Sequence, residues 1–222
     1  IELDKRLEKV LEETLAGFSN ISFIWEDCLK VNLKELMETE FSGMDVSVAA
    51  NLPYYITTPI IMNLLESRLP FKKIVVMIQK EVADRIAARP GTKDYGALSV
   101  AVNYYCESEI ICNVPASCFI PQPKVSSAVI ALKKRSQPAV EVDDAKQFFK
   151  VVKAAFGQRR KTLLNALSAG GVLGMDKQNI AIALERTGID EKRRGETLTL
   201  EEFANVTKQI YFSVIVKIYI KY

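Results

Sequence analysis

The sequence predicts an α/β protein, with a largely parallel β-sheet covered by helices over residues 1–135 and a small all-α region over residues 139–210. Three observations predict it. Short apolar runs alternate with stretches of helical spacing as far as Pro90-Gly91. Ile74-Val75-Val76-Met77-Ile78 reads as an unambiguous buried strand. Four helical patterns then follow the polar, proline-terminated stretch Lys133-Lys134-Arg135-Ser136-Gln137-Pro138, which is the best domain boundary in the chain.

In chain order, Asp4 to Ala16 has helical spacing, with Leu7, Val10 and Leu11 on one face. Ile21 to Trp25 reads as a short strand ending at Glu26-Asp27-Cys28. Val46 to Ala50 reads as a second strand, buried in the sheet, and Thr57 to Leu65 as the helix after it. The strand Ile74 to Ile78 leads into a helix from Glu81 to Ala88. Strand, helix, strand and helix with short connections predict parallel pairing with both faces covered. Beyond Pro90-Gly91, Ala97 to Tyr105 suits a helix. Glu109 to Val114 and Val125 to Leu132 read as strands joined by a loop holding Pro115, Pro121 and Pro123, an antiparallel hairpin at the sheet edge, where proline is tolerated. Helices are then expected over Asp143 to Phe156, Arg159 to Ser168, Lys177 to Thr187 and Leu200 to Ile210, with Gly170-Gly171 and Gly188 where helices stop. Tyr211 to Tyr222 is rich in aromatic and β-branched residues and fits either an edge strand or a non-native tail.

Composition bounds the chemistry. The 222 residues are 49% hydrophobic and 26% charged, as in an ordinary soluble globular protein. No apolar run reaches the roughly 20 residues that span a bilayer, and Ile1-Glu2-Leu3-Asp4-Lys5-Arg6 is not a signal peptide. Cys28, Cys106, Cys112 and Cys118 form no Cys-x-x-Cys pair, and the chain has no histidine to complete a zinc site. These features predict free thiols in a cytoplasmic protein without a metal. The lack of histidine also excludes every scheme that needs an imidazole base. Charge is uneven: residues 1–132 hold 13 Lys+Arg against 17 Asp+Glu, whereas residues 133–222 hold 17 against 10. A basic C-terminal part suits a polyanionic partner, and equally a solvated basic face.

The chemistry centres on Asn51-Leu52-Pro53-Tyr54, which breaks the strand pattern just where ligands bind in open α/β sheets, beyond the carboxyl ends of strands. An asparagine beside two rings, Tyr54 and Tyr55, suits a planar, amino-bearing group. An ordinary Asn-Leu-Pro turn fits these four residues as well.

Other stretches make the reading specific. Asn51-Leu52-Pro53-Tyr54-Tyr55-Ile56-Thr57-Thr58-Pro59 resembles the adenine-gripping motif of the KsgA/Erm family of RNA adenine-N6 dimethyltransferases. Glu2-Leu3-Asp4 resembles the acidic end of that family's second strand, and Glu26-Asp27-Cys28-Leu29 the loop after the third. Phe119-Ile120-Pro121-Gln122-Pro123-Lys124-Val125 resembles its Phe-x-Pro-x-Pro-Lys-Val loop. Phe156-Gly157-Gln158-Arg159-Arg160-Lys161-Thr162-Leu163 resembles the start of the helical domain in the KsgA branch, and Arg194-Gly195-Glu196-Thr197-Leu198 lies near the end of the match, at about residue 210. The resemblance implies a Rossmann-like methyltransferase domain over residues 1–135, an RNA-binding helical domain over 139–210 and a tail over 211–222. It implies methyl transfer from S-adenosylmethionine to N6 of adenines in small-subunit (16S-type) ribosomal RNA, by a monomer.

The physics is compatible with those roles. A carboxylate after the second strand, Glu2, accepts ribose hydroxyls as in dinucleotide folds, though a plain helix-start acid also fits. Asp27 is placed to accept from an adenine amino group while the Cys28 N–H serves a ring nitrogen; a surface turn acid is the alternative. Asn51 is counted with Glu2, Asp27 and Cys28 among the expected cofactor-binding residues. On the substrate side, the Asn51 amide oxygen and the Leu52 carbonyl accept the two hydrogens of an exocyclic amine, leaving its lone pair aimed at the methyl group. Pro53 holds that backbone. This is orientation and transition-state complementarity rather than base catalysis. Tyr54 and Phe119 suit the two faces of an unstacked base, although core packing also fits Phe119. Arg159, Arg160 and Lys161, with Arg193 and Arg194, suit phosphates, or a solvated surface.

One departure carries an expectation of its own. No Gly-x-Gly precedes Glu2, and the earliest glycine is Gly17. The sequence therefore predicts an N-terminally incomplete sheet that binds cofactor weakly and has little activity. The alternatives are an Erm-type modification of large-subunit RNA and a non-catalytic RNA-binding or ribosome-assembly protein. A DNA-adenine or protein-glutamine methyltransferase shares only the Asn-x-Pro-Tyr idea.

Overall fold

The computed structural model describes residues 1–219, with side chains through Tyr211. The chain begins with a 3-10 turn, Lys5–Leu7, capped by Asp4, whose carboxylate accepts from the Arg6 N–H at 3.0 Å. Asp4 also pairs with the Arg6 guanidinium at 2.6 Å, which holds its carboxyl down at about 2. Helix α1 (Glu8–Leu15) follows. Its expected apolar face is largely uncovered: Leu7 is 40% exposed and Val10 54%, with Leu11 half-buried.

The strand expected over Ile21 to Trp25 is a correction. These residues form no strand, because a ladder needs neighbours and, among the described residues, the one link of this kind is from the Glu2 N–H to the Ile24 carbonyl at 2.9 Å. The structure adds a helix the periodicity did not suggest, α2 (Leu33–Glu40). Its signal was Asn32 three residues before Glu35: the Asn32 side chain accepts from the Glu35 N–H and donates to the Glu35 carboxylate.

Strand β1 (Val46–Asn51) leads to α3 (Thr57–Glu66), then β2 (Phe71–Gln79), α4 (Lys80–Ala87), α5 (Ala97–Tyr105), β3 (Cys106–Val114) and β4 (Ser127–Lys134). The sheet has the order β1-β2-β4-β3. Only β1 and β2 are parallel; β2–β4 and β3–β4 are antiparallel. The expected largely parallel sheet is thus mixed, because the proline-bearing loop turns β3 straight back into β4. A second correction concerns β1. It is an edge strand with Ser47 and Ala49 exposed, and among the described residues no strand pairs with its outer edge.

The sheet core joins β1, β2 and β4 to α3 and α4 through Ile61, Ile74, Val76, Ile78, Ile86, Ile130 and Leu132. Helix α5 is shared: its Leu98 and Val102, with Cys106 at the start of β3, face this core, whereas its Val100 and Tyr104, with Tyr95 just before it, face a second one. Buried Ser99 fixes α5 against α4, accepting from the Gly96 N–H (3.0 Å) and donating to the Arg85 carbonyl (2.5 Å).

The second core belongs to α6 (Ala145–Gly157), α7 (Leu163–Ser168), α8 (Lys177–Arg186) and α9 (Leu200–Tyr219), packed around Phe148, Leu163, Ile180 and Phe203. Asp144 and Asp176 cap α6 and α8. Gly170, Gly171 and Gly188 all have positive φ, the left-handed backbone expected of glycine at helix ends. Two further expectations are corrected. Arg159 to Thr162 form a turn, and α7 starts only at Leu163. Residues 211–219 continue α9 and make no edge strand, since an unbroken helix has no turn at which to stop; residues 220–222 of the expected tail lie outside the described residues.

Candidate functional site

The sheet register gathers the candidate residues at one end. Asn51 pairs with Met77, Gln79 with Ser127, and Ser127 with Val114. The carboxyl ends of β1, β2 and β3 and the start of β4 therefore share one rim, and the β3–β4 loop rises from it. The Lys80 N–H donates to the Ser126 carbonyl (3.0 Å) and closes the rim.

At β1 the chain leaves the sheet by a fixed route. The Leu52 N–H still reaches the Met77 carbonyl at 3.1 Å. The Pro53 carbonyl accepts from the Ile56 N–H (3.2 Å) and the Thr57 hydroxyl (3.0 Å), locking the turn into α3. Proline supplies a preset φ for that turn. Among the described residues the Asn51 side-chain amide has no hydrogen-bond partner, and none reaches the Leu52 carbonyl. Tyr54 is half-buried, its hydroxyl 2.7 Å from that of Ser127.

A cavity of about 1020 Å³ lies against this rim. Glu2, Asp27, Cys28, Asn51, Leu52 and Pro53 all line it, among apolar walls that include Leu33, Met37 and Ile56. Every residue of β1 lines it too, so the cavity runs along the strand's free edge. Glu2 is half-buried and accepts from the Asp4 N–H through Oε1 (2.8 Å). Asp27 Oδ1 accepts from the Leu29 N–H at 3.0 Å, while its carbonyl accepts from Lys30 and Val31. Each carboxylate thus has one oxygen with no hydrogen bond from the described chain. Burial, then the Asp27 charge, pushes the Cys28 thiol up, so it stays a neutral wall atom. The sequence grouped Glu2, Asp27, Cys28 and Asn51, and the fold brings them together.

Tyr54 and Phe119 are placed differently. Neither lines the cavity; exposed Tyr55 does. Phe119 is half-buried in the β3–β4 loop, after the 3-10 turn Ala116–Cys118, and it makes no ring contact with Tyr54 among the described residues. The partner that the sequence did not single out is Ser127. It is fully buried and 73 residues from Tyr54, so no local signal marked it.

The basic candidates converge from two turns. The Leu163 N–H donates to the Arg193 carbonyl (2.6 Å) and the Leu164 N–H to the Glu191 carbonyl (3.3 Å), seating residues 159–161 beside 192–194. Arg160, Lys161 and Arg194 are exposed and their side chains have no partner among the described residues. Arg159 donates to the Lys93 carbonyl (2.5 Å) and lies 3.6 Å from Glu196. Arg193 is more deeply committed: it binds Glu202 in a bidentate fork (2.5 and 2.9 Å) and donates to the hydroxyl and carbonyl of Thr197. That fork lowers the Glu202 carboxyl and raises the Arg193 guanidinium.

Residues 1–210 match the family described as Ribosomal RNA adenine dimethylase. The chain belongs to this family. Over 210 residues it is 54% identical to a ribosomal RNA small subunit methyltransferase A from Alkaliphilus metalliredigens, covering 95% of this chain and 73% of that protein. It is also 54% identical, over 211 residues, to the enzyme of that name from a Geobacillus species, covering 94% of this chain and 72% of the relative. Among solved structures, a dimethyladenosine transferase from Plasmodium falciparum superposes with a TM-score of 0.71 at 24% identity, over 92% of this chain and 78% of that one. The 23S rRNA methyltransferase ErmE superposes at 0.63, also at 24% identity, over 95% and 80%. Both show the same Rossmann-like methyltransferase fold.

Proposed function

We propose that this protein transfers methyl groups from S-adenosylmethionine to N6 of adenines in small-subunit ribosomal RNA. The observation that carries this reading is Asn51: an unpartnered amide at a strand end, in the same cavity as the carboxylates of Glu2 and Asp27. The names of the 54%-identical relatives support small-subunit over large-subunit RNA. We assign the sheet, residues 1–135, to methyl transfer and the helices, residues 139–210, to RNA contact.

The cavity suits an adenosine. Its walls are largely apolar, and the carboxylates of Glu2 and Asp27, each with an unused oxygen, offer acceptors for hydroxyls and an amino group. In this assignment Glu2 holds the ribose, and Asp27 with the Cys28 N–H holds the adenine edge. When bound, S-adenosylmethionine supplies an electrophilic methyl group on a sulfonium.

The chain's own part is to hold the nucleophile. An exocyclic adenine amine is weakly nucleophilic because its lone pair is delocalised into the ring. The Asn51 amide oxygen and the Leu52 carbonyl accept its two hydrogens, which favours a pyramidal nitrogen with its lone pair free. The Pro53 turn, locked by Ile56 and Thr57, fixes the backbone that carries both acceptors. Tyr54 and Phe119 flank the extruded base, Tyr54 from a ring fixed by Ser127 and Phe119 from the loop above the rim. Arg160, Lys161 and Arg194 take phosphates, with Arg159 and Arg193 bracing the turns that carry them.

The test is Asn51→Ala. Methylation of small-subunit RNA is expected to fall at least 10²–10³-fold, as when one transition-state hydrogen bond is deleted elsewhere, with RNA affinity within about twofold of wild type. An equal loss of affinity and turnover would place Asn51 in RNA binding instead. The cavity runs along the free edge of β1, so we expect the 222-residue chain to bind S-adenosylmethionine weakly by calorimetry. Tight binding would mean that the walls described here suffice.

A further inference from the structure

The loop between α4 and α5, residues 88–96, belongs to the sheet half of the molecule, yet it is tied to the basic turns of the helical half. The Gly91 N–H donates to the Glu196 carbonyl at 2.7 Å, and the Arg159 guanidinium donates to the Lys93 carbonyl at 2.5 Å. Gly91 has φ +83°, a left-handed conformation that glycine adopts without strain, and this turn presents its N–H to Glu196. Three segments remote in sequence, 89–93, 159–164 and 191–196, are therefore stitched together by main-chain carbonyls.

Their side chains remain available. Arg89 and Lys93 are exposed, and neither makes a side-chain hydrogen bond or ion pair among the described residues. Arg160, Lys161 and Arg194 are in the same state. The local acids only partly offset them: Glu196 faces Arg159 and Glu202 is held by Arg193, which leaves Asp94, Asp190, Glu191 and Glu201, the last lining a shallow cleft together with Arg89. Main-chain carbonyls, with Glu196 and Glu202 engaging only Arg159 and Arg193, anchor the turns and leave the other cationic heads facing solvent. Cations from several segments, unpaired and held on a rigid frame, suit a row of phosphates.

We propose that Arg89 and Lys93 extend the phosphate-binding surface of the helical turns onto the sheet half, so that one RNA backbone is gripped by both halves at once. The proposal rests on the reading above that the basic turns meet RNA. Contact on both sides of the Gly91–Glu196 link would fix the orientation of the RNA relative to the rim that holds Asn51. Phosphate contacts of this kind set register without reading sequence.

The experiment measures the affinity of the chain for small-subunit ribosomal RNA transcribed in vitro, as a function of salt. Four proteins are compared: wild type, Arg89→Gln with Lys93→Gln, Arg160→Gln with Lys161→Gln, and Lys9→Gln with Lys34→Gln on α1 and α2 as a charge-matched control. Each lost phosphate contact lowers the slope of log affinity against log salt by roughly 0.7–0.9. The loop double variant is therefore expected to lose about 1.5 from the slope and about tenfold or more in affinity at low salt. The control should change little. Arg89→Lys with Lys93→Arg should restore the slope, which separates lost charge from a disturbed loop. An unchanged slope in the loop variant, with a reduced one for Arg160 and Lys161, overturns this inference alone. No change in either removes the RNA surface itself, and an equal change in the control reduces the effect to net charge.

Discussion

At the scale of single residues, the site works by leaving some polar groups unpaired while tying down the rings around them. Asn51 and the Leu52 carbonyl have no partner among the described residues, whereas Tyr54 is fixed through Ser127 at 2.7 Å. Ser127 is fully buried, so its hydroxyl depends on that single contact. Tyr54→Phe is therefore expected to keep the ring and strand the Ser127 hydroxyl. The cost is about 1–3 kcal/mol of stability, as for an unsatisfied buried polar group, with the methylation rate falling less than for Asn51→Ala. Thermal unfolding together with single-turnover methylation would check both halves. A stability unchanged by the substitution would mean that the hydroxyl pair does not hold the ring. The sequence showed Tyr54 and its motif because they are contiguous; Ser127 stayed invisible because its role exists only once β4 is laid beside β2.

At the scale of elements, the 3-10 turn Gly195–Thr197 shows how tightly the helical half is assembled. A Cβ on Gly195 would sit 2.8 Å from the Ala155 carbonyl oxygen and 3.1 Å from its carbon, both backbone atoms of α6. Neither can swing aside as a side chain would. Gly195→Ala is thus expected to cost about 1–3 kcal/mol by overpacking, lowering the unfolding temperature by several degrees. The same shift should loosen the Arg193 fork to Glu202, which differential scanning fluorimetry of Gly195→Ala with and without Glu202→Gln would resolve as non-additivity. Retained stability would place the close approach outside the packing that matters. Helix periods were legible here because each helix buries one stripe, as Phe148, Val151, Val152 and Ala155 do on α6. The start of α7 was not, because Arg159, Arg160 and Lys161 have good helix propensity but are drawn into a turn by bonds to Lys93 and Gln158. Ile21 to Trp25 had strand composition and lacked the ladder that makes a strand.

At the scale of the whole molecule, stability is unevenly distributed. Two cores meet at α5 and at Tyr105, which packs against both. Residues 1–45 contribute no buried side chain to either. Their apolar residues are only half-covered at best, with Cys28, Leu33 and Met37 lying against the sheet core. This segment nonetheless supplies Glu2, Asp27 and Cys28, the residues proposed to hold the ribose and the adenine edge of the cofactor. Regions with few buried apolar contacts open at lower free energy than the cores they lie on. The single tryptophan, Trp25, is stacked on Phe23 with ring centroids 5.7 Å apart, and it reports on this segment alone. In a urea titration its fluorescence is expected to change before the far-ultraviolet circular dichroism of the helices. With slopes of about 1–3 kcal/mol per molar, a difference of a few kcal/mol separates the midpoints by on the order of 1 M. S-adenosylmethionine at saturating concentration should draw the two transitions together, because a ligand held by Glu2, Asp27 and the Cys28 N–H in a cavity walled by β1 ties the segment to the sheet. Coincident transitions without ligand would show the segment folding as one unit with the cores, and separated transitions that ligand leaves untouched would remove Glu2 and Asp27 from the binding site.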